Sequence, residues 1–314
     1  MNNSNLSPMK EIISTCPRTN SNKKEFESLA ENYGYKYSEK FPQNQGFSSN
    51  EMIKKIKEAS ICIVGDDKIN QKVLTECSDL EYIIKWGSGI DQIDINYANK
   101  NGVEVFNTPE ILGKYVAEFV LGLMIDSYRK ITLNHKKMTQ EIWHKSYGKS
   151  LFNKVVGFYG YGDIAKNLTK LLKPFNCEII YSDLNNLNIK DATFMSLEAI
   201  LKKSEILIIS APLTEITMGS ISRETLQHAK FLELLINVSR GGIVQEKEIL
   251  EMISDGSLKS LCLDVYEKEP PKFKEEILNN EKILFTSHNA SNTIDANEEV
   301  NKVILNKLDE ILGD

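Results

Sequence analysis

Short apolar runs alternate along this chain with stretches whose apolar residues recur at helical spacing, and the alternation continues from end to end. In the first half, runs at 11–16, 33–37, 61–65, 82–86 and 104–107 predict strands, with helical patterns near 22–32, 49–59 and 69–77 between them. In the second half, 155–159, 178–182, 206–210, 234–238, 261–265 and 283–286 predict another series. Strands separated by helices imply parallel sheets covered on both faces, and two such series imply two α/β domains. A long helical pattern over 111–142 separates them, and its stripe of Val116, Phe119, Val120, Leu123 and Met124 reads as core or subunit interface. The last segment, 294–312, predicts an amphipathic helix with Val300, Val303, Ile304, Leu308 and Ile311 on one face and no obvious chemistry.

One strand–helix junction carries chemistry. The run Val155-Val-Gly-Phe-Tyr-Gly-Tyr-Gly-Asp-Ile-Ala165 passes from a predicted strand through Gly160 and Gly162 into a helical pattern, with Ala165 at the third small position. Glycines there let the backbone turn tightly and approach a pyrophosphate, while the helix N-terminus offers free N–H groups and a partial positive charge. Asp183 closes the next predicted strand roughly 20 residues on, where a carboxylate accepts from ribose hydroxyls and repels a 2′-phosphate. That favours NAD over NADP. Glycines alone also mark plain turns, so the order of strand, glycines, helix, strand and acid carries the inference. Asp163 disagrees: it sets a negative charge beside the expected pyrophosphate, and is expected to cap the helix instead.

Composition narrows the classes. A length of 314 residues fits two domains, and 41% hydrophobic residues suffice for ordinary cores. With a net charge of −6 and no basic block, nucleic acid and acidic membrane surfaces are poor partners. No apolar run approaches the ~20 residues that span a bilayer, and the polar N-terminus lacks a signal-peptide core. Cys16, Cys62, Cys77, Cys177 and Cys262 are scattered and odd in number, which suits reduced, buried thiols in a cytoplasmic protein. None of the 4 histidines forms a zinc motif, so no metal is expected.

Ligands of open α/β sheets bind outside the carboxyl ends of the strands. In the second half those positions hold Ser239-Arg240-Gly241-Gly242, Tyr266 through Glu269-Pro270, and Ser287-His288-Asn289. Singly, Arg240 reads equally as a surface ion-pair partner, Glu269 as a solvated loop charge and His288 as a strand cap. Jointly, on the edge that carries the glycine loop, they fit hydride transfer to a carbonyl. A protonated histidine donates to the oxygen that becomes an alcohol, a carboxylate keeps the imidazolium populated, and an arginine holds an oxo acid and polarises its carbonyl.

Over nearly its whole length the chain resembles the D-isomer-specific 2-hydroxyacid dehydrogenase family, which includes D-3-phosphoglycerate dehydrogenase. The resemblance rests on ordered motifs: Gly87-Ser-Gly-Ile-Asp91 with Asp94, Asn107-Thr-Pro109, Val116-Ala-Glu118, Gly157 through Gly162, Pro212-Leu-Thr214 with Thr217, Asn237 through Gly242, Leu263-Asp-Val265 through Pro270, and Ser287-His288. It implies a Rossmann NAD-binding domain, 111–291, inserted into a flavodoxin-like substrate domain made of 1–110 and 292–314, both doubly wound. It implies that Arg240 binds the substrate carboxylate and carbonyl, that His288 is the acid–base group with Glu269 as its partner, and that Asp264 contacts the nicotinamide carboxamide. Thr108, Gly160, Gly162, Asp163, Ile164, Asp183, Ala211, Pro212, Thr217 and Val238 would line the cofactor. Lys85 and the backbone of Ser88, Gly89 and Ile90 would bind substrate, the last three as an anion nest. The family also implies cleft closure on a small 2-oxo or 2-hydroxy acid, and a homodimer through the cofactor domain and the helix at 111–142.

Departures touch substrate identity rather than reaction class. Lys85 stands where phosphoglycerate-using members carry arginine, so a 3-phosphoglycerate-like substrate would meet a point charge without the bidentate fork. Trp86 replaces a small residue and is expected to narrow the pocket; Ser210 replaces a frequent histidine; Asn289-Ala290-Ser291-Asn292 replaces a commoner glycine pattern. Because the chain stops at Asp314, no regulatory domain and no serine feedback are expected. Arg18 reads as a solvated loop charge or, with Lys85, as a cationic patch for a charged substrate tail. The rival reading from another class is an NAD(H)-sensing protein of the co-repressor type on the same scaffold, with little turnover.

Overall fold

A computed structural model describes residues 10–313, so the polar N-terminal stretch read above lies outside the described residues. The chain divides into two compact units, Met1–Leu112 with Asn292–Asp314, and Gly113–Ser291.

The first unit holds β1 (Glu11–Ser14), β2 (Lys36–Glu39), β3 (Ala59–Val64), β4 (Tyr82–Lys85) and β5 (Glu104–Asn107), with α1 (Lys23–Asn32), α2 (Ser49–Ile56), α3 (Gln71–Glu76), α4 (Ile95–Lys100) and the C-terminal helix Ile294–Gly313. Its 5-stranded sheet runs β2-β1-β3-β4-β5, every pair parallel. This is the flavodoxin-like order, with its switch point between β1 and β3. Alternate residues of β3 enter opposite cores: Cys62 and Val64 pack with Ile13, Val73 and Ile83, while Ile61 and Ile63 pack with Phe26, Trp86, Val300, Ile304 and Leu308. The strand expected at 33–37 begins later, at Lys36. Gly34 ends α1 at φ 74, and Tyr35 N–H donates to the Ala30 carbonyl at 2.9 Å while Gly34 N–H donates to Glu31 at 3.1 Å. That Schellman arrangement uses residues a purely apolar reading assigns to the strand. In the C-terminal helix Val303 turns outward, 40% exposed, against the face expected for it.

The second unit contains α5 (Gly113–Arg129), α6 (Ile131–Thr139), β6 (Val155–Tyr159), α7 (Asp163–Leu172), β7 (Glu178–Ser182), β8 (Thr193–Phe194), α8 (Leu197–Lys203), β9 (Ile206–Ile209), α9 (Arg223–Leu226), β10 (Leu234–Asn237), α10 (Glu246–Asp255), β11 (Leu261–Leu263), α11 (Glu275–Leu278) and β12 (Ile283–Phe285). The 7-stranded sheet runs β12-β11-β10-β9-β6-β7-β8, again all parallel. The order reverses between β6 and β9, the Rossmann switch point. Ile206 and Ile208 face the layer of α5 and α7, and Leu207 and Ile209 face the layer of α8 and α10.

The single helix expected over 111–142 is two. Lys130 takes φ 58, and the Asp126 carboxylate accepts from Thr132 N–H at 2.7 Å, satisfying the first turn of α6 from the end of α5. A two-residue edge strand, β8, lies where no apolar pattern predicts it; both its residues are exposed. Among the described residues, no helix is long and apolar enough to cross a membrane.

Candidate active site

The glycine loop leaves β6 at the switch point. Gly160 has φ 87, and a Cβ there would lie 2.5 Å from the Ala211 backbone nitrogen, so both conformation and close approach require glycine. Gly162 is the N-cap of α7, and a Cβ there would meet nothing within 4 Å. Asp183 ties the loop to β7: its carboxylate accepts from Tyr161 N–H and from Leu184 N–H, each at 2.7 Å. Ser210 Oγ donates to the Gly160 carbonyl at 2.7 Å. The turn after β9 is ordered by Thr217, whose hydroxyl donates to the Pro212 carbonyl at 2.7 Å and accepts from Thr214 N–H at 2.8 Å. Ala211 and Val238 are buried beneath this edge, and Ile164 packs against the core behind α7.

Asp163 departs from its expected role. The N-cap is Gly162, and Asp163 is the first helical residue. Its Oδ1 accepts from Asn167 Nδ2 at 2.8 Å, whereas Oδ2 is buried without a partner among the described residues. That oxygen faces Gly113, where a Cβ would lie only 1.9 Å away, so the start of α5 packs directly on this carboxylate.

Three loops converge at the carboxyl ends of β10, β11 and β12. His288 Nδ1 and Glu269 Oε2 are 2.8 Å apart, with the two side chains 24% and 19% exposed. The other Glu269 oxygen accepts from Tyr266 N–H at 3.1 Å, which orients the carboxylate towards the ring. His288 sits at φ 51, a conformation held by its N–H donating to the Asp264 carbonyl at 2.8 Å. Asp264 is almost wholly buried, and its carboxylate accepts from Thr286 Oγ1 at 2.6 Å, Asn289 N–H at 2.8 Å and Ala290 N–H at 3.0 Å. Asp264 thus anchors the turn that presents His288. On β10, buried Asn237 holds the neighbouring loop, its Nδ2 donating to the Arg240 carbonyl at 3.0 Å and its Oδ1 accepting from Ser239 N–H at 3.2 Å. Arg240 Nη1 donates to the Ser239 carbonyl at 2.9 Å. Gly241 presses on the backbone of the Tyr266–Glu267 loop, where a Cβ would fall 1.8 Å from the Tyr266 carbonyl carbon.

The first unit carries the other expected residues. Gly87 turns the chain after β4 at φ 106, and Thr108 locks that turn: its Oγ1 accepts from Gly87 N–H at 2.8 Å, and its N–H donates to the Gly87 carbonyl at 3.1 Å. Thr108 therefore lies in this unit, buried, and not in the unit of the glycine loop. Ser88 and Ile90 are exposed and Gly89 half-buried; their N–H groups donate to no other described backbone. Lys85 is buried, its ammonium 3.1 Å from the Asp66 carboxylate and 3.1 Å from the Trp86 carbonyl. Trp86 does not narrow a pocket: it is buried in the core under the C-terminal helix, and its Nε1 donates to Asn301 Oδ1 at 2.9 Å.

The sequence pattern of the D-isomer specific 2-hydroxyacid dehydrogenase, NAD binding domain, matches residues 121–290. The chain belongs to the D-isomer specific 2-hydroxyacid dehydrogenase family. It is 31% identical to a glyoxylate reductase of Thermofilum pendens over 84% of this chain and 82% of that one, and 28% identical to a hydroxypyruvate reductase of Thermotoga maritima over 86% and 90%. The fold matches a glyoxylate reductase structure from Paecilomyes thermophila at a TM-score of 0.84, with 21% identity over 97% and 96% of the two chains.

As a member of this family the chain is an NAD-dependent oxidoreductase, and the loop of the dehydrogenase fits that cofactor. Gly162 leaves an opening in front of α7, the helix N-terminus offers its unpaired N–H groups there, and Asp183 stands at the end of the adjacent strand. Among the described residues no cluster of three or more His, Cys, Asp or Glu is placed to hold a metal ion. Sequence reasoning missed Asn237 and Asn301 as positioning residues. An asparagine inside an otherwise apolar strand or helix face was the available signal, and both are completely buried.

Proposed function

We propose that this dehydrogenase interconverts a D-2-hydroxy acid and its 2-oxo acid, with His288 as the acid–base group, Glu269 as its partner and Arg240 as the substrate-carboxylate clamp. The observation that carries this reading is the 2.8 Å contact of His288 Nδ1 with Glu269 on the sheet edge that also bears the glycine loop. The bound cofactor supplies the hydride. Glu269 fixes the imidazole through Nδ1, and in this reading Nε2 protonates the carbonyl oxygen in reduction and takes the hydroxyl proton in oxidation. The guanidinium of Arg240 neutralises the acid and draws charge from its carbonyl. In the first unit, the turn of Ser88, Gly89 and Ile90 is read as an anion nest for a substrate carboxylate, supported by N–H groups that donate to no other described backbone. The relatives named glyoxylate and hydroxypyruvate reductase support a short 2-oxo acid as the core of the substrate.

The deciding assay follows NADH oxidation over a panel of 2-oxo acids, including glyoxylate, hydroxypyruvate, pyruvate, 2-oxoglutarate and 3-phosphohydroxypyruvate. His288→Asn should lower kcat by about two to four orders of magnitude with NADH binding retained. A loss below tenfold overturns the role of His288, and NADH binding with no turnover across the panel overturns the reaction. In the same reading the enzyme is a homodimer, supported by the apolar surface of Ile131, Met138, Ile142 and Trp143, which is 46–78% exposed in and after α6. Sedimentation should give twice the chain mass, and a monomer at micromolar concentration would contradict it.

A further inference from the structure

Arg18 follows β1 at the switch point of the first sheet, the edge where open α/β sheets take ligands. Its guanidinium carbon lies 4.7 Å from the centroid of the Trp86 ring, and among the described residues its N–H groups have no acceptor. Two constraints hold this pair. The Arg18 carbonyl accepts from Asn301 Nδ2 at 2.9 Å, and the opposite end of the same amide accepts from the Trp86 indole at 2.9 Å. Because the indole N–H can only donate, it sets the orientation of the Asn301 amide. A single buried asparagine on the C-terminal helix thus positions both the backbone of the arginine and the ring beneath it. Stacking on an indole face restrains a guanidinium while leaving its edge donors for an anion.

The other cation expected here is already committed. Lys85 is buried against Asp66, so the pair carries no net charge towards a ligand. Cys16, beneath them, is buried and its thiol is pushed up to about 11 by that burial, so it adds no charge at neutral pH. Among the described residues Arg18 has no ion-pair partner, so its charge stays available on this edge beside the stacked ring. Trp86 directly precedes Gly87, the first residue of the turn read as an anion nest.

We propose that Arg18, stacked on Trp86, recognises a second anionic group on the substrate, a carboxylate or a phosphate at the end remote from the 2-oxo acid. This rests on the reading that the Gly87–Ile90 turn takes the reacting carboxylate. It makes the preferred substrate a doubly charged 2-oxo acid and gives the discriminating role to Arg18 rather than Lys85. The fork of an arginine donating to an anion corresponds to about 10- to 100-fold in affinity.

The test is calorimetric binding to the full chain with NAD+, which cannot reduce a 2-oxo acid, using charged probes and their neutral counterparts: 2-oxoglutarate against 2-oxopentanoate, and 3-phosphohydroxypyruvate against hydroxypyruvate. One charged probe should bind at least tenfold more tightly than its counterpart, and which one does distinguishes carboxylate from phosphate. Arg18→Met keeps an apolar stem over Trp86 and should bring that ratio to within threefold of one; Arg18→Lys should restore only part of it. Equal binding of both pairs by the wild type, or a ratio unchanged in Arg18→Met, overturns the proposal. If Arg18→Met does not fold, the ratio in Arg18→Lys decides: full retention overturns the fork. NADH turnover, measured separately, tests the reaction itself, so an intact binding ratio without turnover sinks the dehydrogenase reading and leaves Arg18 in place.

Discussion

Replacing Gly241 with alanine should separate the two loops that bring Arg240 and Glu269 to one edge. The added Cβ would lie 1.8 Å from the Tyr266 carbonyl carbon, 2.1 Å from its oxygen and 2.3 Å from the Glu267 nitrogen, all of them backbone atoms that cannot rotate aside. Ordinary carbon contacts begin near 3.4 Å, so the loops must part by about 1.6 Å. A misplacement of roughly 1 Å in a catalytic constellation costs about 100-fold in rate, close to 3 kcal/mol of barrier. Overpacking of this kind also costs about 1–3 kcal/mol of stability. Gly241→Ala should therefore lower kcat at least 100-fold against the best 2-oxo acid, while NADH titration by fluorescence shows little change, because the glycine loop leaves β6 and not β10. Gly242→Ala is the control. Its Cβ would touch only the Leu213 side chain at 3.5 Å, and it should retain activity within threefold. A folded Gly241→Ala enzyme with kcat within threefold of wild type would refute the argument that this close approach sets the catalytic geometry.

Gly160→Ala should weaken NADH at least tenfold, because its Cβ would strike the Ala211 backbone at 2.5 Å; an unchanged dissociation constant would deny the loop its role. Asn301→Ala should cost about 1–3 kcal/mol in urea unfolding by stranding the buried Trp86 N–H, and a change under about 0.5 kcal/mol would show that the indole finds another acceptor. Burial, then the neighbouring carboxylates of Glu267 and Glu269, raise the Glu246 carboxyl above its usual 4.5. The folded chain then keeps this proton longer than the unfolded chain does, so the contribution of Glu246 to stability falls as pH rises above 4.5 towards the folded value. Glu246→Gln should be the more stable protein above that window, with the difference closing below about pH 4; urea midpoints across pH giving a constant difference, or the opposite sign, would exclude this.

Much of the cofactor unit was legible locally. An apolar strand, Gly160, Gly162 and a helical pattern are neighbours in sequence, and their geometry follows from turn conformation and helix-end polarity. The convergence of Arg240, Glu269 and His288 followed from one further rule, that parallel strands end on the same edge. Where local signals compete, the structure departs from the linear pattern. Tyr33–Gly34 served a helix cap rather than a strand, and Asp126 reached over Lys130 to begin a second helix inside one apolar pattern.

By itself, then, the chain determined its two parallel sheets, the glycine turn with Asp183 and the order of its catalytic candidates, because each depends on residue spacing within one element or at its end. Tertiary structure alone decided what the buried polar groups do. Trp86 and Asn301 are paired from distant parts of the chain, Lys85 is neutralised by Asp66, and Asp264 collects three donors from the turn bearing His288. A buried donor or acceptor must find a partner, but which one it finds is set by packing across the sheet and not by its neighbours in sequence. That is why Lys85, a natural anion ligand in the linear pattern, is spent inside the fold, and why Arg18, which reads as an ordinary loop charge, is held stacked on Trp86.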